Sequence, residues 1–147
     1  MPRQKVRKNL RKNMELNSKY ASIDTNIILL FTMNDNPLKR QRALKLLLDG
    51  REYYVDSVAI METVYVMTKN NFDRRTIVED TKDFLSNTMI HYDKKMFDEV
   101  FEKFISHPSL SLEDCVLDYQ AKKENRLPLY TFDKKFANQA ETATLVK

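Results

Sequence analysis

Apolar and polar positions follow two rhythms along this chain. Short runs rich in aromatic and β-branched residues recur between longer stretches in which apolar residues return every three or four positions. The short runs predict strands and the longer stretches predict helices. Strands are expected over 20–23, 53–55, 89–91, 127–131 and 143–146. Helices are expected over 26–33, 37–48, 57–69, 73–85, 93–105, 111–125 and 133–138. Pro37 suits a first helical turn, and Ala43, Leu44, Leu47 and Leu48 form one apolar face of that helix, which Gly50 is expected to close. Ser57, Asp73, Asp93 and Ser111 are expected helix starts, and His107–Pro108 breaks the run before Ser111. No internal repeat is present. Strand–helix alternation of this kind predicts an α/β fold with a parallel sheet.

Length adds that 147 residues form one domain with a core large enough to need no metal or disulfide staple. A single cysteine, Cys115, excludes a disulfide framework and a cysteine-ligated zinc site, and points to a reducing, cytoplasmic setting. One glycine excludes the Gly-rich phosphate loops of nucleotide-binding folds. The longest apolar runs reach about five residues, far below the ~18 of a membrane helix. No hydrophobic region follows the basic start, so no signal peptide is expected.

Charge divides the chain. Residues 1–19 hold seven basic groups and one acid, whereas residues 20–147 hold 18 basic and 20 acidic groups. The net charge of +4 therefore resides in a basic, flexible leader (1–19), and the domain proper (20–147) is slightly acidic. The leader reads as a solvated tail, with Met14 a second candidate start, as an arm contacting nucleic-acid phosphates, or as a transit segment.

In parallel α/β sheets, ligands gather at the carboxyl ends of the strands. Asp24 follows the first strand and Asp133 the fourth; Asp114 lies in the first turn of the helix preceding that fourth strand. Each also suits a helix cap, and Ser111 with Asp114 matches a capping box. Glu62 has no capping explanation. It sits inside a helix among Val58, Tyr65 and Val66, on the face expected to turn toward the sheet's upper edge, where a carboxylate is hard to solvate unless the face opens on a cleft. Four acids on one rim repel unless a cation lies among them, and an all-oxygen set suits Mg²⁺ or Mn²⁺.

These residues resemble the PIN-domain nucleases, most closely the toxins of bacterial type II toxin–antitoxin pairs. The resemblance runs through Ile23-Asp24-Thr25-Asn26-Ile27, Val55-Asp56-Ser57-Val58-Ala59-Ile60-Met61-Glu62-Thr63-Val64-Tyr65 and Asp114-Cys115-Val116-Leu117, and then from Ala121 to Phe136 through Leu129-Tyr130-Thr131-Phe132-Asp133. It covers about residues 20–146 in the family's order. It implies a doubly wound sheet of about five parallel strands flanked by helices. It also implies a Mg²⁺- or Mn²⁺-dependent endoribonuclease that hydrolyses RNA phosphodiesters with activated water. By matching position, Asp24, Glu62, Asp114 and Asp133 are the catalytic, metal-holding acids, with Asn26 and Thr131 in support. A cognate antitoxin protein and a homodimer are the implied partners.

Asp118 departs from the family pattern, which has a small apolar residue there; lying one helical turn past Asp114, it either adds a fifth acid to the site or leans to solvent. Lys134 and Lys135 are candidate phosphate contacts. Cys115 reads as a buried apolar residue; Met61, Met67, Met89 and Met96 read as core filler, and His91 and His107 as ordinary polar positions. The alternative function is a non-catalytic PIN-like scaffold binding RNA or protein. A haloacid-dehalogenase-like phosphatase would need an acid where Asn26 stands.

Overall fold

A computed structural model describes residues 2–147; Met1, the first residue of the leader, lies outside them. Five short strands alternate with helices: β1 (Ala21–Ser22), β2 (Tyr53–Tyr54), β3 (Ile90–His91), β4 (Leu129–Thr131) and β5 (Ala143–Leu145). The helices are α1 (Arg3–Asn17), α2 (Thr25–Thr32), α3 (Pro37–Leu47), α4 (Ser57–Lys69), α5 (Arg74–Leu85), α6 (Lys94–Ser106), α7 (Leu112–Lys123) and α8 (Lys134–Gln139). All five strands run parallel to their neighbours, giving the expected α/β architecture. Ladder hydrogen bonds sort them into two sets. β1, β2 and β3 lie side by side in that order, with Ala21 opposite Tyr53 and Tyr53 opposite Ile90. β4 pairs with β5, Tyr130 opposite Thr144. Strands of two or three residues form few ladder bonds, so the helices between them carry most of the packing.

Local chemistry sets the helix ends. Asn36, Asp73, Asp93 and Ser111 each accept a backbone N–H at the start of α3, α5, α6 and α7. Ser57 is the first residue of α4 and not its cap; Asp56 holds that position without a side-chain cap bond. At the other ends, Asn34, Asn71 and Asn125 follow α2, α4 and α7 with φ of 52°, 65° and 51°. Asparagine tolerates this left-handed conformation, and in a chain with one glycine it takes over the terminating role glycine usually fills. Gly50, expected to close α3, lies two residues beyond its C-cap Leu48, at φ 90° in the turn into β2.

The core runs from Ile23 and Ile28 through Val55, Ile60, Val64 and Met67 to Phe97, Val100, Phe101 and Phe104. Each large side chain so buried contributes on the order of 1.5–3 kcal/mol. Phe97 and Phe101 pack with ring centroids 5.3 Å apart, an arrangement that adds roughly 0.5–1.5 kcal/mol. Met67 and Met96 are buried and Met61 and Met89 partly so, as expected of filler. On α3 only Ala43 and Leu47 are buried; Leu44 and Leu48, expected on the same face, are exposed, because the neighbouring elements cover a narrower stripe than the wheel allows.

Helical backbone occupies most of the segment read as a flexible leader. Arg, Lys, Gln, Leu and Met are good helix formers, so propensity accounts for α1. Its apolar residues Val6, Leu10 and Met14, four apart, are exposed. Among the described residues, no helix is long and apolar enough to cross a membrane.

Candidate active site

The chain leaves β1 at Ser22 and reaches Asp24, whose Oδ1 accepts the Thr25 N–H at 2.7 Å and starts α2. Thr25 is buried, and its hydroxyl donates to Glu62 Oε2 at 2.7 Å, across 37 residues of sequence. This bond ties the start of α2 to the second turn of α4, and so joins the segments that follow β1 and β2. Glu62 itself is exposed, together with Val58 and Tyr65 on the same face of α4. The solvation difficulty expected of this carboxylate does not arise, because the apolar residues beside it point outward with it.

Asp114 and Asp133 belong to the other half of the molecule. Asp114 completes the capping box at the start of α7: Ser111 Oγ accepts the Asp114 N–H, and Asp114 Oδ2 accepts the Ser111 N–H, both at 3.1 Å. Asp133 caps α8, its Oδ1 accepting the N–H groups of Lys135 at 2.9 Å and Phe136 at 3.1 Å. Thr131 Oγ1 accepts the Asp133 N–H at 3.0 Å and so orients the cap. Asn26, Lys134 and Lys135 are exposed. The capping reading of all three aspartates therefore holds geometrically.

A common feature joins the four acids. Each engages one carboxylate oxygen in these bonds, and no hydrogen bond is made to the other oxygen among the described residues. None of the four forms an ion pair with Lys, Arg or His among them. Hard-oxygen donors with open lone pairs are the donor type a divalent cation takes. Among the described residues, no three His, Cys, Asp or Glu side chains gather closely enough to ligate one ion. Carboxylates with no cation between them repel, which favours such separation.

Asp118 corrects the sequence expectation. It neither leans to solvent nor has capacity for a cation. Its side chain is buried, Oδ1 accepts the Thr142 N–H at 2.9 Å and the Thr142 hydroxyl at 2.5 Å, and Oδ2 accepts the Glu141 N–H at 3.2 Å and pairs with Lys103. Four donors fill its four lone-pair directions. Burial pushes its pKa up, but hydrogen bonds from Lys103 and Thr142 and the Lys103 charge outweigh that and hold it below the usual value. The group locks the turn before β5 onto α7 and α6. Its partners lie 15 to 24 residues away, so no local signal announced this role.

Cys115 is buried, and burial pushes its thiol up to about 11, so it is not a nucleophile. His91 pairs with Glu52 at 2.6 Å, its ring centroid lying 4.9 Å from that of Tyr20 in a tilted arrangement, and His107 contacts the Ser106 hydroxyl at 2.8 Å. A family model described as PIN domain matches residues 21–142. Comparison with curated proteins and with solved structures gives no match.

Proposed function

The chain belongs to the PIN-domain family, whose members are generally metal-dependent nucleases, and from that premise we propose that it is a Mg²⁺- or Mn²⁺-dependent endoribonuclease, the toxin of a type II toxin–antitoxin pair. The observation that supports this best is the set of four acids, in family order, each with one oxygen held by the protein and one open. Asp24, Glu62, Asp114 and Asp133 would hold the ion, although no three of them stand close enough here to ligate it together. When bound, it supplies positive charge to a scissile phosphate and acidity to a water. The protein's own contribution is orientation. Thr25 fixes the Glu62 carboxylate, Ser111 fixes Asp114, and Thr131 fixes the backbone at Asp133. Asn26 supports the same rim. Lys134 and Lys135, exposed beside Asp133, suit contacts to RNA phosphates. The basic helix α1 suits further phosphate contacts outside the nuclease domain of 20–147. A cognate antitoxin and a second copy of the chain complete the proposed partners, and a cytoplasmic setting suits the single reduced cysteine.

RNA cleavage by the full chain in Mg²⁺ or Mn²⁺, stopped by chelation and absent in Glu62→Gln and Asp24→Asn, tests the nuclease. Growth arrest on expression, lost in the same variants, tests the toxin. The capping bonds of three of the four acids favour the other reading, a non-catalytic scaffold. That reading predicts RNA or protein binding with no metal-dependent cleavage, equal in wild type and variants.

A further inference from the structure

Phe132 is 81% exposed, the highest value among the large hydrophobic residues described. It stands between Thr131, the end of β4, and Asp133, the cap of α8. A phenylalanine in that position gives up the roughly 1.5–3 kcal/mol that burial would return. Phe132 lies in the bend one residue past β4, whose Leu129 and Thr131 are half-buried. An exposed aromatic side chain thus directly precedes a candidate metal-holding carboxylate in the chain. Lys134 and Lys135 follow directly, both exposed and in no ion pair among the described residues.

An occupant must bring a flat apolar face and a negative charge a few ångströms from it. An unstacked nucleobase with its own phosphate does both, whereas bases inside a duplex have their faces covered. We propose that Phe132 is a stacking platform for an unpaired base of the RNA, seated beside Asp133 with the adjoining phosphate toward Lys134 and Lys135. The proposal deepens the nuclease reading, on which it rests, by naming a residue of this chain that grips the substrate. Phe132 acts as a binding residue, separate from the chemistry.

The chain contains no tryptophan, so Phe132→Trp places the sole indole of the full chain on the proposed platform. Titration with a single-stranded oligoribonucleotide in a chelator, which separates binding from cleavage, should quench its emission with the same Kd that anisotropy of a labelled oligonucleotide gives. Phe132→Ala should weaken single-strand binding by roughly 5- to 150-fold, the range set by stacking on one aromatic ring. Phe132→Tyr should stay near wild type, and binding of the matching duplex should change less than twofold in every variant. Equal losses on single strand and duplex, no quenching, or no binding by the wild type would overturn the platform. So would a Phe132→Ala protein that loses self-association and keeps its RNA affinity, since the ring would then serve a contact between copies. Cleavage with Mg²⁺ separates the two readings. Wild-type cleavage insensitive to Phe132 removes the platform and leaves the nuclease. Quenching and Phe132-dependent binding without cleavage removes the nuclease and leaves the platform.

Discussion

The two halves of the molecule are held together by carboxylates in different ways. In the β1–β2–β3 half, the part-buried long-range bond to a carboxylate ends on Glu62, itself a candidate metal ligand, through Thr25. In the β4–β5 half, the part-buried long-range bonds to a carboxylate converge on Asp118, which has no open lone pair, whereas the candidate ligands Asp114 and Asp133 bond only within three residues of themselves. On the proposed nuclease reading, structural and chemical duties thus fall on one carboxylate in the first half and on separate carboxylates in the second. Mutations should therefore separate stability from activity in the β4–β5 half and mix them in the other.

The largest effect is expected at Asp118. Asp118→Ala leaves the Lys103 ammonium half-buried without its partner, and removing one member of a buried pair costs about 3–5 kcal/mol. A melting temperature lower by roughly 10 °C, read by circular dichroism, would agree; a shift under about 2 °C would show that the lock carries no load. The effect has a pH signature. The folded-state pKa of Asp118 is below its unfolded value, so its stabilisation is present above the unfolded pKa of ~3.9 and disappears as pH falls through the folded one. The stability gap between wild type and Asp118→Asn should narrow below about pH 4.

Next come Glu62→Gln and Asp24→Asn, each expected to lower the rate of RNA cleavage by about 10²–10³-fold, the scale of losing several kcal/mol of charge stabilisation. Retained activity in both would remove the first half from the site. At Asp133 the comparison sharpens. Asparagine caps a helix as well as aspartate does, so Asp133→Asn should unfold within a few tenths of a kcal/mol of wild type while activity falls as for Glu62→Gln. Asp133→Ala should lose ~1 kcal/mol of stability in addition. Denaturant curves beside rate measurements check this pair. An active Asp133→Asn would make Asp133 a cap and nothing more.

The smallest effects concern charge. Lys134→Ala and Lys135→Ala should each flatten the plot of log affinity against log salt for single-stranded RNA by ~0.7, with the rate at saturating RNA unchanged. Removing residues 2–13, which deletes six basic groups, should flatten it further on the same reasoning.

What could be read in advance follows the range of the interaction responsible. The Ser111–Asp114 capping box and the caps at Asp73, Asp93 and Asp133 were readable because donor and acceptor lie within three residues of each other. The place of Glu62 inside α4 was readable from periodicity, but its exposure was not, because that depends on which neighbours cover the helix.

The sequence by itself determined the order of strands and helices from residue 20 onward, the parallel α/β class and the places of the four acids on or at the starts of helices, since short-range periodicity and capping specify them. Tertiary structure alone decided that Thr25 donates to Glu62, that Asp118 turns inward to Lys103 and Thr142, and that Phe132 stays exposed next to Asp133. These outcomes depend on groups brought together from distant parts of the chain, or on the coverage of a face by other elements. No local pattern encodes either.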